Sequence, residues 1–168
     1  MGKVISEILI GGGTLKIDGT DVGFTEDGVT LINSRDYYDI EADQSINILR
    51  KNKVRQTITV VTNILQSTLA NIKIVWDSGS TITEAGGYSN LSFGGDTTVT
   101  EHTLQFDGVK TGGLTRKFYA YKAVSIETGE HSYKKNGKTL IPVTFELVAD
   151  ITKGEGKQLG YYQDELAA

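Results

Sequence analysis

The chain has 168 residues, a formal net charge of -4 and no cysteine. This length fits one domain that buries a sizeable apolar core without metals or disulfides. The absence of cysteine excludes disulfides, thiolate metal sites and cysteine nucleophiles. Acids and bases are interleaved, which argues against a surface that grips duplex DNA.

The composition predicts a mostly β domain, because glycine, threonine and β-branched residues are frequent and proline occurs once. The predicted strands are, in chain order, Thr14–Ile17, Val22–Thr25, Val29–Ile32, Tyr37–Ile48, Val54–Ile64, His102–Phe106, Arg116–Glu127 and Leu140–Val148. The dipeptides Asp18-Gly19 and Asn136-Gly137 predict two-residue hairpin turns. No apolar run is long enough to cross a bilayer and no secretory signal is evident, so we expect a soluble protein.

Two long consecutive strands, Tyr37–Ile48 and Val54–Ile64, predict an extended hairpin joined at "RKNK". Alternation places three acids on one face of the first strand: Asp39, Glu41 and Asp43. We expect that face to be exposed to water. The apolar residues of the two strands are expected to pack under the sheet: Tyr38, Ile40, Ile46, Ile58 and Val60.

The segment "ILQSTLANIKIVWD" predicts the one helix of the chain, over 65–76. Its apolar residues fall on one stripe at helical spacing: Leu65, Leu69, Ile72 and Trp76. We expect this stripe to cover an open side of the sheets. The glycine-rich residues 77–98 predict a long loop, and residues 152–168 predict a tail that is poor in core residues.

Residues that could carry chemistry are few and do not form a set. His102 and His131 stand alone, and we expect His102 on the surface. The "GEGK" at 154–157 lacks the spacing of a phosphate loop. The acidic face could offer paired carboxylates for glycosidic chemistry, but acids on an open strand would all ionise. We predict no catalytic residue, no metal and no cofactor, and therefore no enzyme.

The first half of the chain resembles the major tail (tail tube) proteins of long-tailed bacteriophages. The resemblance lies in "GTLKIDGTDVGFTEDGVTL", then an acidic strand ending in "DQ", then a long strand running into "QSTLANIKIVW". The matching positions of the opening are Gly13, Leu15, Gly19, Val22, Gly23, Thr25, Gly28, Val29 and Leu31. The family's helix corresponds to 65–76.

This resemblance implies a single β-sandwich or barrel of the tail-tube type over 1–168, with one flanking helix. It also implies hexameric rings that stack into a hollow tube in the virion tail, assembled in the host cytoplasm. The implied partners are further copies of the chain, a tail-tip or initiator complex, tape-measure and terminator proteins, and genomic DNA that passes through the lumen without specific binding. No membrane is implied.

Two groups of residues take roles under this resemblance. The acids Asp39, Glu41 and Asp43 would line the lumen and repel the phosphate backbone, so that DNA slides. The long loop would contact the next subunit or ring through Tyr88, Phe93 and Asp96, and it would order on contact.

Two alternatives remain open from the sequence. The chain could form the tube of a secretion or contractile injection apparatus, which has a similar fold and ring symmetry. It could instead be a monomeric β-sandwich module that binds carbohydrate through aromatic residues on a concave face: Tyr88, Phe93, Tyr119 and Tyr121.

Overall fold

A computed structural model describes residues 9–110, 112–126, 130–133 and 135–166, with side chains from residue 12 onward. In this part of the chain the fold is mainly β with one helix, which confirms the predicted fold class. The strands are β1 Leu9–Ile17, β2 Thr20–Asp21, β3 Thr25–Ile40, β4 Arg50–Ile64, β5 Thr83–Ala85, β6 Tyr88–Asn90, β7 His102–Lys110, β8 Thr115–Ser125, β9 Ile141–Leu147 and β10 Gly160–Asp164, and the helix is α1 Leu69–Val75.

Most strands form one antiparallel sheet in the order β2-β1-β7-β8-β9-β4-β3, with β10 paired to β8. One edge of β8 pairs with β7. Its other edge pairs first with β10, where Gly160 lies opposite Ala120, and then with β9, where Leu147 lies opposite Ala123. Strands β9 and β10 therefore lie in line along β8, separated by the connection 148–159.

The core lies inside the curve of this sheet. Its buried apolar residues are Leu15, Ile17, Val22, Val60, Ile64, Val75, Leu104, Phe118, Ala120, Ala123, Ile141, Val143, Phe145 and Leu147. They come from both ends of the strand order, and β1 and β3 approach within 8 Å (Cα to Cα) without pairing. The sheet therefore curls around one apolar centre, as burial of a continuous apolar face requires.

The two predicted hairpin turns have different outcomes. Asp18 and Gly19 connect β1 to β2, and both have positive φ, 51° and 78°. These angles suit the two-residue hairpin turn that the sequence predicts. Asn136-Gly137 lies inside the long connection from β8 to β9, so the second predicted hairpin turn is wrong.

The predicted surface position of His102 is also wrong. The His102 side chain is 9% exposed, and its Nδ1 lies 2.6 Å from Asp18 Oδ2. The same carboxylate accepts a hydrogen bond from the Thr103 backbone N–H at 2.8 Å. This pairing satisfies the buried imidazole and fixes the β1–β2 turn against β7.

The helix begins four residues later than predicted. Thr68 is the N-cap, and its side chain accepts a hydrogen bond from the backbone N–H of Asn71. The buried helix residues are Asn71 and Val75. The Asn71 amide donates to the carbonyl oxygens of Val22 and Gln66, at 3.0 and 2.7 Å.

The predicted packing stripe is therefore largely wrong. Leu65 precedes the helix, Leu69 is half-buried, and Trp76 is the C-cap with 37% of its surface exposed. Of the four stripe residues, Ile72 is the one that packs against the core cluster.

Residues 77–98 are ordered by contacts within the chain. They contain the β5–β6 hairpin, whose turn residues Gly86 and Gly87 have positive φ. Asp96 accepts a hydrogen bond from the Gly79 N–H at 2.8 Å, and the Phe93 ring meets Trp76 edge-to-face at 4.9 Å. Tyr88 projects from the small hairpin, 75% exposed. That these residues contact another subunit stays a prediction.

Candidate assembly surface

A two-stranded arm extends from the sheet. Strands β3 and β4 pair from Thr25 opposite Ile64 out to Ile40 opposite Arg50. Strand β9 covers β4 only over 59–64, so the outer part of the hairpin has no third strand in the described chain. We call β3 residues 33–40, β4 residues 50–58 and the connecting residues 41–49 the arm, and residues 41–49 its tip.

The structure confirms two long consecutive strands joined as a hairpin, but the first strand is Thr25–Ile40 rather than the predicted Tyr37–Ile48, and the turn is misplaced. Strand β3 ends at Ile40 and β4 begins at Arg50, so "RKNK" lies within β4. A register shift between Asp36 and Tyr37 leaves Val54 without a direct partner. Such a β-bulge strengthens the local twist of the ribbon.

The predicted placement of three acids on one strand face is wrong, whereas their position in a lumen stays a prediction. Glu41 and Asp43 lie in the tip, beyond the end of β3, and both are exposed. Asp39 is on the strand, but its carboxylate forms an ion pair with Lys51 Nζ at 2.8 Å. Side chains in the arm gain little from burial, so alternation in the sequence does not mark where the strand ends.

Apolar side chains are exposed on both faces of the arm. Tyr37 and Tyr38 are consecutive strand residues, so they point to opposite faces, and they are 49% and 65% exposed. Val54 is 65% exposed and Ile46, at the tip, is fully exposed. The predicted burial of Tyr38, Ile40 and Ile46 is therefore wrong, although Val60 is in the core and Ile58 packs against it.

The two edges of the arm carry opposite charge. Residues 33–40 of β3 contain two acids and one base, with two further acids in the tip, and residues 50–58 of β4 contain four bases and no acid. Across the ribbon Asp36 lies opposite Arg55 and Asp39 lies opposite Lys51. Neither edge has a partner strand over the arm in the described chain. An open strand edge is a template for pairing with another chain.

The arm and β10 border a cleft of about 500 Å³. Its lining includes Lys53 and Ile58 from β4, Phe118 and Leu147 from the core, and Tyr162 from β10. The cleft combines apolar side chains with two strand edges.

Strand β10 is held to β8 by a charged cluster. The Asp164 carboxylate binds Arg116 through Nε and Nη2, at 2.5 and 2.6 Å, and Lys110 Nζ at 3.0 Å. Arg116, followed by Lys110, holds the pKa of Asp164 well below its usual range. The Tyr161 ring stacks on Tyr119. The predicted tail thus contains a strand formed within one chain, which apolar patterning missed.

Substituting Asp164 with asparagine is expected to loosen β10. The substitution removes the carboxylate charge that binds Arg116 and Lys110, so we expect the amides of residues 160–164 to exchange several-fold faster at pH 7. Hydrogen exchange followed by mass spectrometry measures these exchange rates directly. Asp43→Asn, in the exposed tip, is the matched control, and equal exchange in the two variants would contradict the role of the cluster.

The same cluster predicts a pH dependence. The folded pKa of Asp164 lies below its unfolded value of about 3.9, so its stabilisation is complete above that unfolded value. As pH falls through about 4 toward the lower folded pKa, the unfolded chain takes up a proton first and the stabilisation declines. Protection of the β10 amides from hydrogen exchange should therefore be constant near neutral pH. It should decrease when the pH is lowered past about 4.

The structure places the predicted aromatic residues in separate clusters. Tyr119 and Tyr121 pack on Tyr161, whereas Phe93 packs on Trp76. Within the described residues no three His, Cys, Asp or Glu side chains lie close enough to hold a metal ion. In the same residues, no helix is long and apolar enough to span a membrane.

Comparison of the chain with protein-family models and with curated proteins finds no match. Function is therefore inferred from the molecule itself.

Proposed function

We propose that this protein is a structural virion subunit that assembles into hexameric rings, stacked as the hollow tail tube through which a phage genome reaches the host. The observation that carries the proposal is the arm, a ribbon with apolar residues on both faces and two open edges of opposite charge. An isolated two-stranded ribbon is marginally stable in water, so a long one needs partners.

A second copy of the same chain can pair with each of the two open edges of the arm. If the acidic β3 edge of one arm lies beside the basic β4 edge of the next, strands alternate antiparallel around a ring, as they do within one arm. The contact joins two different surfaces and is therefore heterologous. Repeating it produces a closed ring when a whole number of subunit rotations adds up to a full turn. Closure leaves no open edge along the wall.

The charge of the arm supports a wall that does not hold DNA. Five bases and four acids lie within 33–58, and two of the acids, Asp36 and Asp39, lie opposite the bases Arg55 and Lys51. Counterion release from DNA requires unpaired cations, and paired ones give little of it. A wall with this near-balanced charge would let DNA pass without specific binding.

The remaining partners belong to the same proposal. A tube of this kind starts on a tail-tip or initiator complex, encloses a tape-measure protein and ends at a terminator protein. Its place is the virion tail, after assembly in the host cytoplasm.

The mass in solution tests the proposal. The subunit is 18.2 kDa, so a ring of six copies has a mass of about 109 kDa. We expect light scattering to show growth from monomer to this mass and beyond as concentration rises. Wild-type protein that stays monomeric at the highest attainable concentration, and also after preformed tail tips are added, would overturn the proposal.

A variant without the arm provides the control. Asn33 and Ile58 lie directly opposite each other, so an Asn-Gly turn replacing 34–57 closes a shorter hairpin in register. We expect this variant to fold as a monomer. The residues of β3 and β4 that contribute to the core lie between the new turn and the body of the sheet, so they are retained. Assembly equal to that of wild type would show that the arm is not the contact.

A further inference from the structure

A small hollow lies beside the C-terminal end of the helix. Its volume is about 250 Å³, and it is formed by Trp76 and Asp77 on one side and by residues 94–99 on the other. Trp76 is the C-cap of α1, which follows the end of β4 that is remote from the arm tip. The carbonyl oxygen of Val75 accepts a hydrogen bond from Ser125 Oγ. The hollow is therefore anchored to the body of the sheet and lies outside the arm.

An aromatic wall bounds this hollow. Trp76 is the single tryptophan of the chain and is 37% exposed. The Phe93 ring packs edge-to-face against it, with the ring centroids 4.9 Å apart, which holds the plane of the indole. The face of an aromatic ring is the negative part of its quadrupole, and tryptophan attracts a cation more strongly than tyrosine or phenylalanine does. The wall thus offers a surface that suits an organic cation.

Two carboxylates border the same hollow, one on each side. Asp77 accepts a hydrogen bond from the Thr100 N–H at 2.9 Å, and Asp96 accepts one from the Gly79 N–H at 2.8 Å. These bonds hold both side chains in place. Within the described chain neither carboxylate forms an ion pair, unlike the acids of the arm and of the β10 cluster. Two fixed negative charges therefore border the hollow without a cation of the chain to balance them.

The sequence around the hollow is acidic throughout. Residues 76–100 contain three acids, Asp77, Glu84 and Asp96, and no lysine, arginine or histidine. The nearest lysine along the chain, Lys73, lies in the last turn of α1 and is not part of the lining. A concave surface with charge of one sign raises the local concentration of the opposite ion. The volume is below the roughly 300–1,000 Å³ of pockets for drug-sized ligands, so it suits a small head group.

We propose that this hollow binds a small organic cation of the quaternary ammonium class, with choline as the simplest example. The trimethylammonium group lies on the Trp76 ring, and Asp77 and Asp96 supply the opposite charge from the two sides. Proteins recognise such ions through aromatic faces of this kind. A neutral sugar would gain from the ring but not from the two carboxylates, so the charge favours the cation. The inference goes beyond the proposed tube, because one subunit contains the whole site.

Choline and its neutral isostere, the alcohol in which carbon replaces the nitrogen, test the requirement for charge. The two molecules have nearly the same shape, and the single tryptophan reports binding at this site through its fluorescence. We expect choline to bind at least about tenfold more tightly than the alcohol, with an affinity that falls as salt is added. Equal affinities, no response to choline, or a response to methyl glucoside instead would overturn the proposal.

Three variants test the location of the site. Asp77→Asn and Asp96→Asn each remove one charge, and asparagine retains an oxygen for the backbone hydrogen bond and tolerates the φ of 48° at position 77. Glu84→Gln is the matched control, since Glu84 lies on β5 in the same acidic segment and outside the hollow. We expect the first two to weaken choline binding at least about threefold each, and the control to change it less than about twofold.

Equal losses in all three variants would show attraction to the acidic segment as a whole and would overturn the site. The titrations use protein too dilute to assemble. Their failure therefore leaves the proposed tube intact, and choline binding by a protein that never forms rings would retain the site and overturn the tube instead.

Discussion

Replacing Phe145 with alanine is expected to destabilise the fold by about 3–5 kcal/mol. Phe145 is fully buried and is the largest of the fully buried side chains. It lies on β9 opposite Val60 of β4 and Ser125 of β8, so its ring packs where the arm-bearing strand joins the rest of the sheet. The deletion removes buried surface and leaves a cavity that strands fixed on both sides cannot fill.

Urea unfolding followed by tryptophan fluorescence measures this loss. Phe24→Ala is the matched control, because Phe24 is 73% exposed and its truncation should change the free energy of unfolding by less than about 0.5 kcal/mol. A loss below about 1 kcal/mol in Phe145→Ala would contradict the placement of this side chain at the centre of the core.

Reversing the charge on one edge of the arm is expected to abolish ring formation, and reversing the complementary edge in a second copy should restore it. The β3 variant Asp36→Lys with Asp39→Lys makes both edges basic. The β4 variant Lys51→Glu, Lys53→Glu and Arg55→Glu makes both edges acidic. Each variant alone opposes like charges between copies, which costs several kcal/mol per interface and raises the assembly midpoint at least about tenfold.

The mixture of the two variants is the decisive sample. An acidic arm can then lie between two basic arms, and an even-numbered ring closes with alternating copies. The substitutions also disturb the ion pair of Asp39 with Lys51 within the arm, but an exposed pair contributes only about 0–1 kcal/mol. Light scattering of each variant and of the mixture measures the mass of the assemblies that form. A mixture that stays monomeric would exclude pairing by these edges.

The sequence predicts the fold class well because the relevant signals are local or strongly periodic. The Asp18-Gly19 turn requires positive φ at both positions, which these residues adopt readily. The strands around Phe106, Tyr119 and Phe145 alternate between buried and half-buried residues, so periodicity identifies them.

The arm is where prediction fails, and for a physical reason. Its side chains are open to water on both faces, so the alternation from Tyr37 to Ile48 carries no information about burial. The end of β3 is set by pairing with β4, including Asp39 opposite Lys51, and sequence alone does not contain that register. Alternation therefore predicts the three acids on one face, although two of them lie in the tip.

The helix start and β10 were missed for different reasons. Thr68 is a good N-cap residue, but the apolar spacing extends back to Leu65 and predicts an earlier start. Strand β10 has no such local signal, because its position depends on Asp164 meeting Arg116 and Lys110, residues distant in the chain. Long-range charge pairing of this kind is visible only in three dimensions.

Negative-stain electron microscopy of the purified protein over a range of concentrations tests the central claim most directly. If arms pair edge to edge, the images will show rings with a central hole and, at higher concentration, hollow tubes, and the variant lacking 34–57 will show neither. Compact single particles without a hole at every concentration, for wild type and armless variant alike, would contradict self-assembly through the arm.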